Sequence, residues 1–129
     1  MRYLLDTHVI IWGVNNSDKL CEAVKKILEN KDSQIFISIV SLWEFVIKHA
    51  KGQLPFEGGF SRLYEIIKQA GFTILPITQG SLAALAELPF IENHKDPFDR
   101  LLIATAKAEE MTILTADKNI HKYDIPHIW

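Results

Sequence analysis

Short apolar runs alternate along the chain with longer segments whose apolar residues recur at helical spacing. The runs predict four strands, continuously apolar as strands buried on both faces should be, at 3–5, 35–38, 72–75 and 112–115. The helical periodicity predicts helices at 17–30, 41–51, 61–70, 81–88 and 97–110. The final segment, 125–129, is predicted as an edge strand because Pro126 has no N–H to donate inside a sheet.

This alternation of strands and helices predicts right-handed βαβ units and a mainly parallel central sheet. Helices then cover both faces, which gives a three-layer α/β/α, Rossmann-like fold. The 129 residues show no linker and no internal repeat, so residues 1–129 are predicted to form a single domain. In such folds ligands bind beyond the carboxyl ends of the strands, and candidate chemistry is sought there.

Composition narrows the class of protein. The apolar content of 48% and charged content of 23% are ordinary for a soluble globular protein. The single cysteine, Cys21, excludes an intramolecular disulfide and a cysteine-rich zinc site. Because Cys21 lies on the apolar stripe of the predicted 17–30 helix, we expect it to be a core residue. No stretch approaches the ~20 apolar residues of a membrane span, and Asp6 interrupts the N-terminal run, so we expect a cytoplasmic protein.

Charge adds one constraint on possible substrates. The net charge is −2, so the chain offers no global positive field for a nucleic acid. A polyanionic substrate therefore has to be met by a local basic patch or by a bound metal ion.

Four carboxylates lie just past a predicted strand or early in the following helix: Asp6, Glu44, Asp99 and Asp117. Taken singly, each has an ordinary structural interpretation. An Asp before a helix is commonly its N-cap, which suits Asp6. A negative charge in the first helical turn suits the helix dipole, as at Asp99, and an Asp in a turn after a strand, such as Asp117, usually bonds locally.

Two helix-start signals surround these acids. Ser41 and Glu44 have the spacing of a capping box, with Ser41 as N-cap and Glu44 at N3. Lys48 lies four residues beyond Glu44, a favourable spacing for a helical ion pair. Asp96 before Pro97 predicts a helix that begins at Pro97 with Asp96 as its N-cap.

Taken together, the four acids indicate a metal site, because the carboxyl ends of parallel strands share one edge of a sheet. At ~4 Å, one like-charge pair costs about 4 kcal/mol at an effective dielectric of 20, against a total stability of ~5–15 kcal/mol. Raised pKa values or a bound divalent cation relieve that repulsion. Oxygen-only ligands favour Mg²⁺ or Mn²⁺ over zinc, and such an ion orients a water for attack on phosphorus.

Four sequence blocks resemble PIN-domain proteins, in the order in which that family has them: LLDTHVIIW (4–12), SIVSLWE (38–44), HKDPFDRLLIA (94–104) and LTAD (114–117). The chain length resembles VapC-type toxins of prokaryotic toxin–antitoxin pairs. This resemblance implies a Mg²⁺-dependent endoribonuclease with a Rossmann-like α/β/α fold. It also implies a homodimer and a cognate antitoxin that occludes the site.

The resemblance assigns roles to particular residues. It matches the four acids of the family, as catalytic residues and metal ligands, to Asp6, Glu44, Asp99 and Asp117. Asp99 is taken as the third acid because the segment from Asp99 to Ala104 matches the corresponding family helix. Asp96 is then a cap that supports the ligands from outside, and Thr7 and Thr115 are hydroxyl partners near the metal-bound water.

Basic residues near the acids are weaker candidates for substrate binding. Arg100 is expected either to contact phosphate or to form a salt bridge with a neighbouring carboxylate. Lys48 belongs to a basic cluster that either holds RNA or forms a solvated helix face, and the solvated face is favoured. His94 and Lys95 are candidates for the wall of the cleft.

The aromatic residues are interpreted as structural. Trp12, Trp43 and Phe45 are predicted to be core or dimer contacts rather than platforms for base stacking. His8 is predicted to be structural as well.

Two other functions stay open at this point. A receiver-like Mg²⁺-binding signalling domain needs an acidic pair after the first strand, whereas here Asp6 is followed by Thr7 and His8. A non-catalytic PIN-fold binding module has no reason to retain four mutually repelling acids. The sequence leaves the target RNA and the choice between one and two metal ions undefined.

Overall fold

The helices and strands are taken from a computed structural model, which describes residues 1–91 and 94–129. The strands are β1 (Arg2–Leu5), β2 (Gln34–Ser38), β3 (Thr73–Leu75), β4 (Thr112–Leu114) and β5 (His127–Ile128). The helices are α1 (Thr7–Val14), α2 (Glu22–Glu29), α3 (Ile39–Ala50), α4 (Gly59–Gln69), α5 (Gln79–Glu87), α6 (Pro97–Glu109) and α7 (Lys118–His121).

The strands form one sheet in the order β3-β2-β1-β4-β5, and every neighbouring pair is parallel. This confirms the predicted parallel sheet, including the edge strand near the C-terminus. The central strand β1 pairs Leu4 with Phe36 of β2 and Leu5 with Leu114 of β4. The carboxyl ends of β1, β2 and β4 therefore lie side by side, and the segments that follow them enter the same edge of the molecule.

Side chains of the sheet alternate between two apolar layers, as the pleat requires. Leu5 of β1 packs in a core with Val9, Val24 and Leu63 from α1, α2 and α4. Leu4 points to the opposite face, into a second core that includes Ile103 of α6. Helices thus cover both faces of the sheet, which confirms the predicted three-layer α/β/α fold.

Helix α2 differs from its prediction at its N-terminal end. It begins at Glu22 rather than at residue 17, and Cys21 is its half-buried N-cap residue rather than part of an apolar helical stripe. The Ser17 hydroxyl accepts the Lys19 N–H at 3.1 Å. That local bond stabilises a turn before the helix and competes with helical hydrogen bonding there.

Helix α4 matches its prediction closely. It ends at Gln69, and Gly71 follows in the left-handed conformation with φ of 78°. Glycine adopts that conformation without steric cost, so it terminates the helix where the sequence indicated. Within residues 1–91 and 94–129, no helix combines the length and apolar character needed to cross a membrane.

Candidate active site

Three of the aspartates at the carboxyl edge of the sheet are helix N-caps. The Oδ1 atom of Asp6 accepts the His8 N–H at 2.8 Å at the start of α1. Asp96 does the same at the start of α6 and Asp117 at the start of α7. The capping interpretation is therefore correct for Asp6 and Asp96, and it extends to Asp117. Each cap occupies Oδ1 and leaves Oδ2 for other partners.

The Thr115 hydroxyl joins two of these aspartates. Fully buried Thr115 donates from Oγ1 to Oδ2 of Asp6 at 2.5 Å. The same hydroxyl oxygen accepts the Asp117 N–H at 3.0 Å. Because Thr115 directly follows β4 and Asp6 directly follows β1, this contact fixes the ends of two adjacent strands to each other.

Glu44 reaches the same edge from α3, but not through a capping box. Helix α3 begins at Ile39 with Ser38 as its N-cap, and the Ser38 hydroxyl accepts the Val40 N–H at 3.1 Å. The predicted capping role of Ser41 and Glu44 is therefore wrong, because β2 runs directly into the helix and Ser38 caps it first. Ser41 and Glu44 both lie buried inside α3.

The Glu44 carboxylate accepts a hydrogen bond on each oxygen. The Thr7 hydroxyl donates to Oε1 at 2.6 Å, and the Lys48 ammonium donates to Oε2 at 2.5 Å. The ion pair predicted between Glu44 and Lys48 is confirmed. Since Thr7 is the residue after Asp6, this hydroxyl also connects Glu44 to the end of β1.

Asp99 lies one turn into α6 and is half-buried among the other acids. Burial raises its pKa to about 7, together with the negative charges of Asp96, Asp117 and Asp6, while a hydrogen bond from His94 opposes the rise. Burial first, and repulsion from the other acids second, therefore disfavour ionisation of Asp99. This is the electrostatic pattern anticipated for a cluster of carboxylates.

Lys48 is the nearby cation that offsets part of this charge. Burial opposes its charged form, but the hydrogen bond and charge of Glu44 and the charges of Asp96 and Asp99 outweigh burial and raise the Lys48 pKa. Lys48 thus links Glu44 electrostatically to the acids of α6. Its ammonium is engaged with a buried carboxylate, which corrects the interpretation of this side chain as part of a solvated helix face.

The donor set at this edge is made of oxygen atoms, which suits Mg²⁺ or Mn²⁺. In the part of the chain that the structure describes, no group of three or more His, Cys, Asp or Glu side chains is arranged to hold a metal ion. Each candidate ligand instead faces a protein donor, such as Thr115 at Asp6 or Lys48 at Glu44. The chemistry of the residues fits a hard cation, and binding one requires some of these donors to be exchanged for it.

Arg100 turns away from the acids. It is buried, donates to the Leu88 and Pro89 carbonyls at 2.8 and 2.9 Å, and reaches the Tyr123 hydroxyl at 3.2 Å. Its guanidinium also lies 3.9 Å from the centroid of the Phe90 ring. The expectation that Arg100 contacts phosphate or a neighbouring carboxylate is therefore wrong, because its donors are used inside the protein.

A hydrogen-bonded chain runs from Arg100 to Asp99 through two residues. Arginine only donates, so the Tyr123 oxygen accepts from Arg100, and the same hydroxyl is hydrogen-bonded to His94 Nδ1, 3.0 Å away. The ionised Asp99 carboxylate only accepts, so His94 Nε2 donates to its Oδ2 at 3.1 Å. The chain fixes the His94 ring and aims one donor at the Asp99 carboxylate.

The sequence indicated only part of this series of hydrogen bonds. His94 was a candidate for the cleft wall, whereas Tyr123 carries no local signal that relates it to Asp99. Lys95 is exposed and lines a neighbouring cleft of about 430 Å³ with Phe90, Pro97 and Arg100. A role for Lys95 in substrate binding stays a prediction.

The fold and this edge define the class: a parallel three-layer α/β protein with carboxylates gathered beyond its strands. Residues 3–126 match the family model described as PIN domain. The chain belongs to the PIN-domain family. Comparison with curated proteins gives no match.

Solved structures of similar fold cover nearly the whole chain. VapBC2 from Rickettsia felis, bound to a promoter DNA fragment, is similar with a TM-score of 0.76 at 19% identity, covering 100% of this chain and 99% of that one. FitAcB from Neisseria gonorrhoeae has a TM-score of 0.66 at 24% identity, with 98% and 96% covered. A toxin–antitoxin complex from Klebsiella pneumoniae has a TM-score of 0.66 at 19% identity, with the same coverage.

Proposed function

We propose that this chain is a Mg²⁺- or Mn²⁺-dependent endoribonuclease that acts as the toxin of a toxin–antitoxin pair. Its proposed metal ligands and catalytic residues are Asp6, Glu44, Asp99 and Asp117. The observation that carries this proposal is the way buried hydroxyls hold the acids at one sheet edge, with Thr115 joining Asp6 to Asp117 and Thr7 joining Glu44 to the end of β1. The pKa of Asp99, raised by burial and by the charges of neighbouring acids, supports it. A bound divalent cation would relieve the repulsion among these carboxylates.

The residues around the acids have definable tasks in this reaction. A bound divalent cation supplies neutralisation of the phosphate charge and a water of lowered pKa. Thr115 holds the Asp6 carboxylate and Thr7 holds that of Glu44, so both keep one orientation. His94 donates to Asp99 and restricts the rotation of its carboxylate. Positioning of this kind contributes to catalysis by reducing the reorganisation that the reaction requires.

The family supports a proposal for the partner and the substrate. The resemblance to VapC-type toxins implies RNA as the substrate, and one similar structure is itself a toxin–antitoxin complex. We infer that a cognate antitoxin binds this chain and occludes the acidic edge, and that the protein acts in the cytoplasm. A non-catalytic PIN-fold module is the alternative, and it predicts metal binding or partner binding without RNA cleavage.

An exposed apolar stripe on α3 supports a homodimer. Ile39, Trp43 and Val46 recur at helical spacing and are all exposed, Trp43 by 55%. The Trp43 ring packs edge-on against Phe98 of α6, with ring centroids 5.0 Å apart. We propose that a second copy covers this stripe. Trp43→Glu is expected to yield monomers in sedimentation equilibrium, and an unchanged mass would contradict the proposal.

Thermal unfolding and RNA cleavage together test the enzymatic proposal. Mn²⁺ at about 100 times its dissociation constant is expected to add about 2.7 kcal/mol of stability, read as a rise in Tm. Cleavage of a mixed RNA pool is expected only with metal present. Asp6→Asn should abolish cleavage, whereas Asp18→Asn, at an exposed position outside the site, should leave it unchanged.

The outcomes separate the alternatives. Metal-linked stabilisation without cleavage would favour the non-catalytic module. The absence of both effects in the wild-type protein would refute the metal site and the nuclease activity. A strongly destabilised Asp6→Asn variant would contradict the view that the Asp6 charge is a burden in the metal-free protein, because Asn keeps the cap of α1.

A further inference from the structure

A cleft of about 330 Å³ opens directly beside the proposed metal ligands. Its lining consists of Asp6, His8, Trp12, Ala116 and Asp117. Two of these residues are carboxylates that we assign to the metal site, and two carry aromatic rings. The carboxylates, where a phosphate is expected to bind, and the two aromatic side chains therefore line the same cleft. We call it the Trp12 cleft.

Helix α1 builds the aromatic wall. His8 and Trp12 are four residues apart, so both project from the same side of the helix. Their ring centroids are 5.8 Å apart with an interplanar angle of 51°. The cap that Asp6 forms on α1 fixes the start of the helix, so the aromatic wall is rigidly connected to a proposed metal ligand.

Contacts outside the cleft hold the Trp12 ring in place. Trp129 lies against it, with ring centroids 5.7 Å apart at 54°. The Lys19 ammonium is 5.8 Å from the centroid of the Trp12 ring. Trp12 is therefore half-buried by partners on other elements while part of its surface lines the cleft. A dimer or core role does not explain why this ring borders two carboxylates.

We propose that the Trp12 cleft binds the nucleobase of a nucleotide that adjoins the scissile phosphate, with Trp12 and His8 as its stacking wall. This inference rests on the proposed nuclease function and adds a base-binding subsite to it. Proteins that bind single-stranded RNA commonly stack unpaired bases on aromatic side chains. The phosphate and base of one nucleotide are joined through its sugar, so a phosphate at the carboxylates brings its base to the adjoining wall.

The chemistry of the Trp12 cleft limits which occupants it can bind. Stacking is available to every base because each has a π-face, so the Trp12 cleft is expected to tolerate several bases. The acidic side of the cleft, Asp6 and Asp117, disfavours an acidic peptide. A cationic side chain from a protein partner fits both walls as well, and the experiment therefore distinguishes it from a base.

A pair of small probes isolates the contribution of the base. Uridine and adenosine 5′-monophosphates carry a base on the sugar phosphate, whereas ribose 5-phosphate lacks it. Binding of each probe to the full chain with Mn²⁺ is measured by isothermal titration calorimetry. The wild-type protein is expected to bind the nucleotides at least about fivefold more tightly than ribose 5-phosphate, the lower end of measured stacking effects.

Variants assign that difference to the Trp12 ring. Trp12→Ala should reduce nucleotide affinity to that of ribose 5-phosphate, and Trp12→Phe should retain part of the preference. Phe60→Ala removes an exposed aromatic ring from α4, outside the cleft, and should change neither affinity. The rise in Tm with Mn²⁺ should be the same in all of these proteins, because none of the three changes removes a proposed ligand.

Each result supports or overturns the subsite. A wild-type protein that binds nucleotides no better than ribose 5-phosphate overturns it. A Trp12→Ala variant that still prefers nucleotides over ribose 5-phosphate overturns the subsite as well. If Trp12→Ala instead loses a protein partner while keeping the preference for nucleotides, the cleft belongs to that partner and the inference is wrong. Failure of the nuclease proposal is separately visible, as an absent effect of Mn²⁺ on the wild-type Tm.

Discussion

Replacing Asp99 by Asn should stabilise the metal-free protein, and the gain should depend on pH. The folded state raises the Asp99 pKa from 3.8 to about 7 through burial and the charges of neighbouring acids. Because the folded protein raises the pKa of Asp99, ionisation of this carboxyl destabilises the fold. The loss of stability is absent below pH 3.8, where the carboxyl is protonated in both states, and it grows until the pH reaches about 7. At about 1.36 kcal/mol per pKa unit, the full cost is at most about 4 kcal/mol.

The side chain of Asp99 is 18% exposed, so solvent screening lowers the real cost below that bound. Asn is neutral, has nearly the same shape, and keeps an oxygen that accepts from His94. We therefore expect Asp99→Asn to raise the free energy of unfolding by about 2–3 kcal/mol at pH 8 and by less than half as much at pH 5. With Mn²⁺ present the order should reverse, because the variant has lost a proposed ligand.

Urea unfolding at several pH values, with and without Mn²⁺, measures this difference. Asp18→Asn, which removes an exposed carboxylate between α1 and α2, is the control and should show little change at any pH. An equal gain at pH 5 and pH 8 would mean that ionisation of Asp99 is not the cause. Destabilisation at every pH would refute the view that the acids repel one another in the folded protein.

Two further substitutions test the partners of the acids. Tyr123→Phe removes the hydroxyl that orients His94. We expect it to lower the free energy of unfolding by about 1–2 kcal/mol in urea and to weaken Mn²⁺ binding in calorimetry. Tyr64→Phe, at a half-buried tyrosine in α4, is the control, and equal losses in the two variants would contradict an orienting role. Lys48→Met removes the ammonium paired with Glu44. We expect the metal-free variant to be less stable by about 1 kcal/mol, but its Tm to rise more than that of the wild-type protein when Mn²⁺ is added. An unchanged response of the Tm to Mn²⁺ would contradict this prediction.

The parallel sheet was predictable because its strands are buried on both faces and therefore read as short continuous apolar runs. The same property concealed α1 as a regular element. Residues 7–14 include a dense apolar segment around Ile10 whose faces are nearly all buried, so the helical period is weak there. A short apolar run of this kind is compatible with either a strand or a buried helix. Only the cap at Asp6 indicated that a helix begins there.

Local sequence also could not choose between two possible caps for α3. Ser38 and Ser41 both precede apolar helical residues, and Ser41 has the better-known motif because Glu44 follows it at the required spacing. The choice is made by where β2 ends, since its last paired residue is Ser38 opposite Leu75. Sheet register decides this, and register depends on residues distant in the sequence.

The contacts of Arg100 and Tyr123 could not be predicted from the local sequence. Arg100 directly follows Asp99, so its sequence position suggested chemistry at the acids. Helical geometry places successive residues about 100° apart, and Arg100 therefore faces the carbonyls of Leu88 and Pro89 instead. Tyr123 reaches His94 across 29 residues of sequence, and only the tertiary fold brings the two together. Neighbours in sequence proved less informative about this site than the edge of the sheet that the acids share.

Capping and metal binding are compatible at these aspartates, because a carboxylate has two oxygens. At Asp6 the oxygen Oδ1 caps α1, while Oδ2 meets the Thr115 hydroxyl at the site. The caps also bring the positive ends of α1 and α6 to the acids, which offsets part of their repulsion without a metal. Asn caps a helix about as well as Asp, so Asp6→Asn changes the charge and keeps the cap, whereas Asp6→Ala removes both. The difference in stability between these two variants therefore measures the cap together with the side-chain contact to Thr115, and activity lost in Asp6→Asn with the fold intact is attributable to the charge.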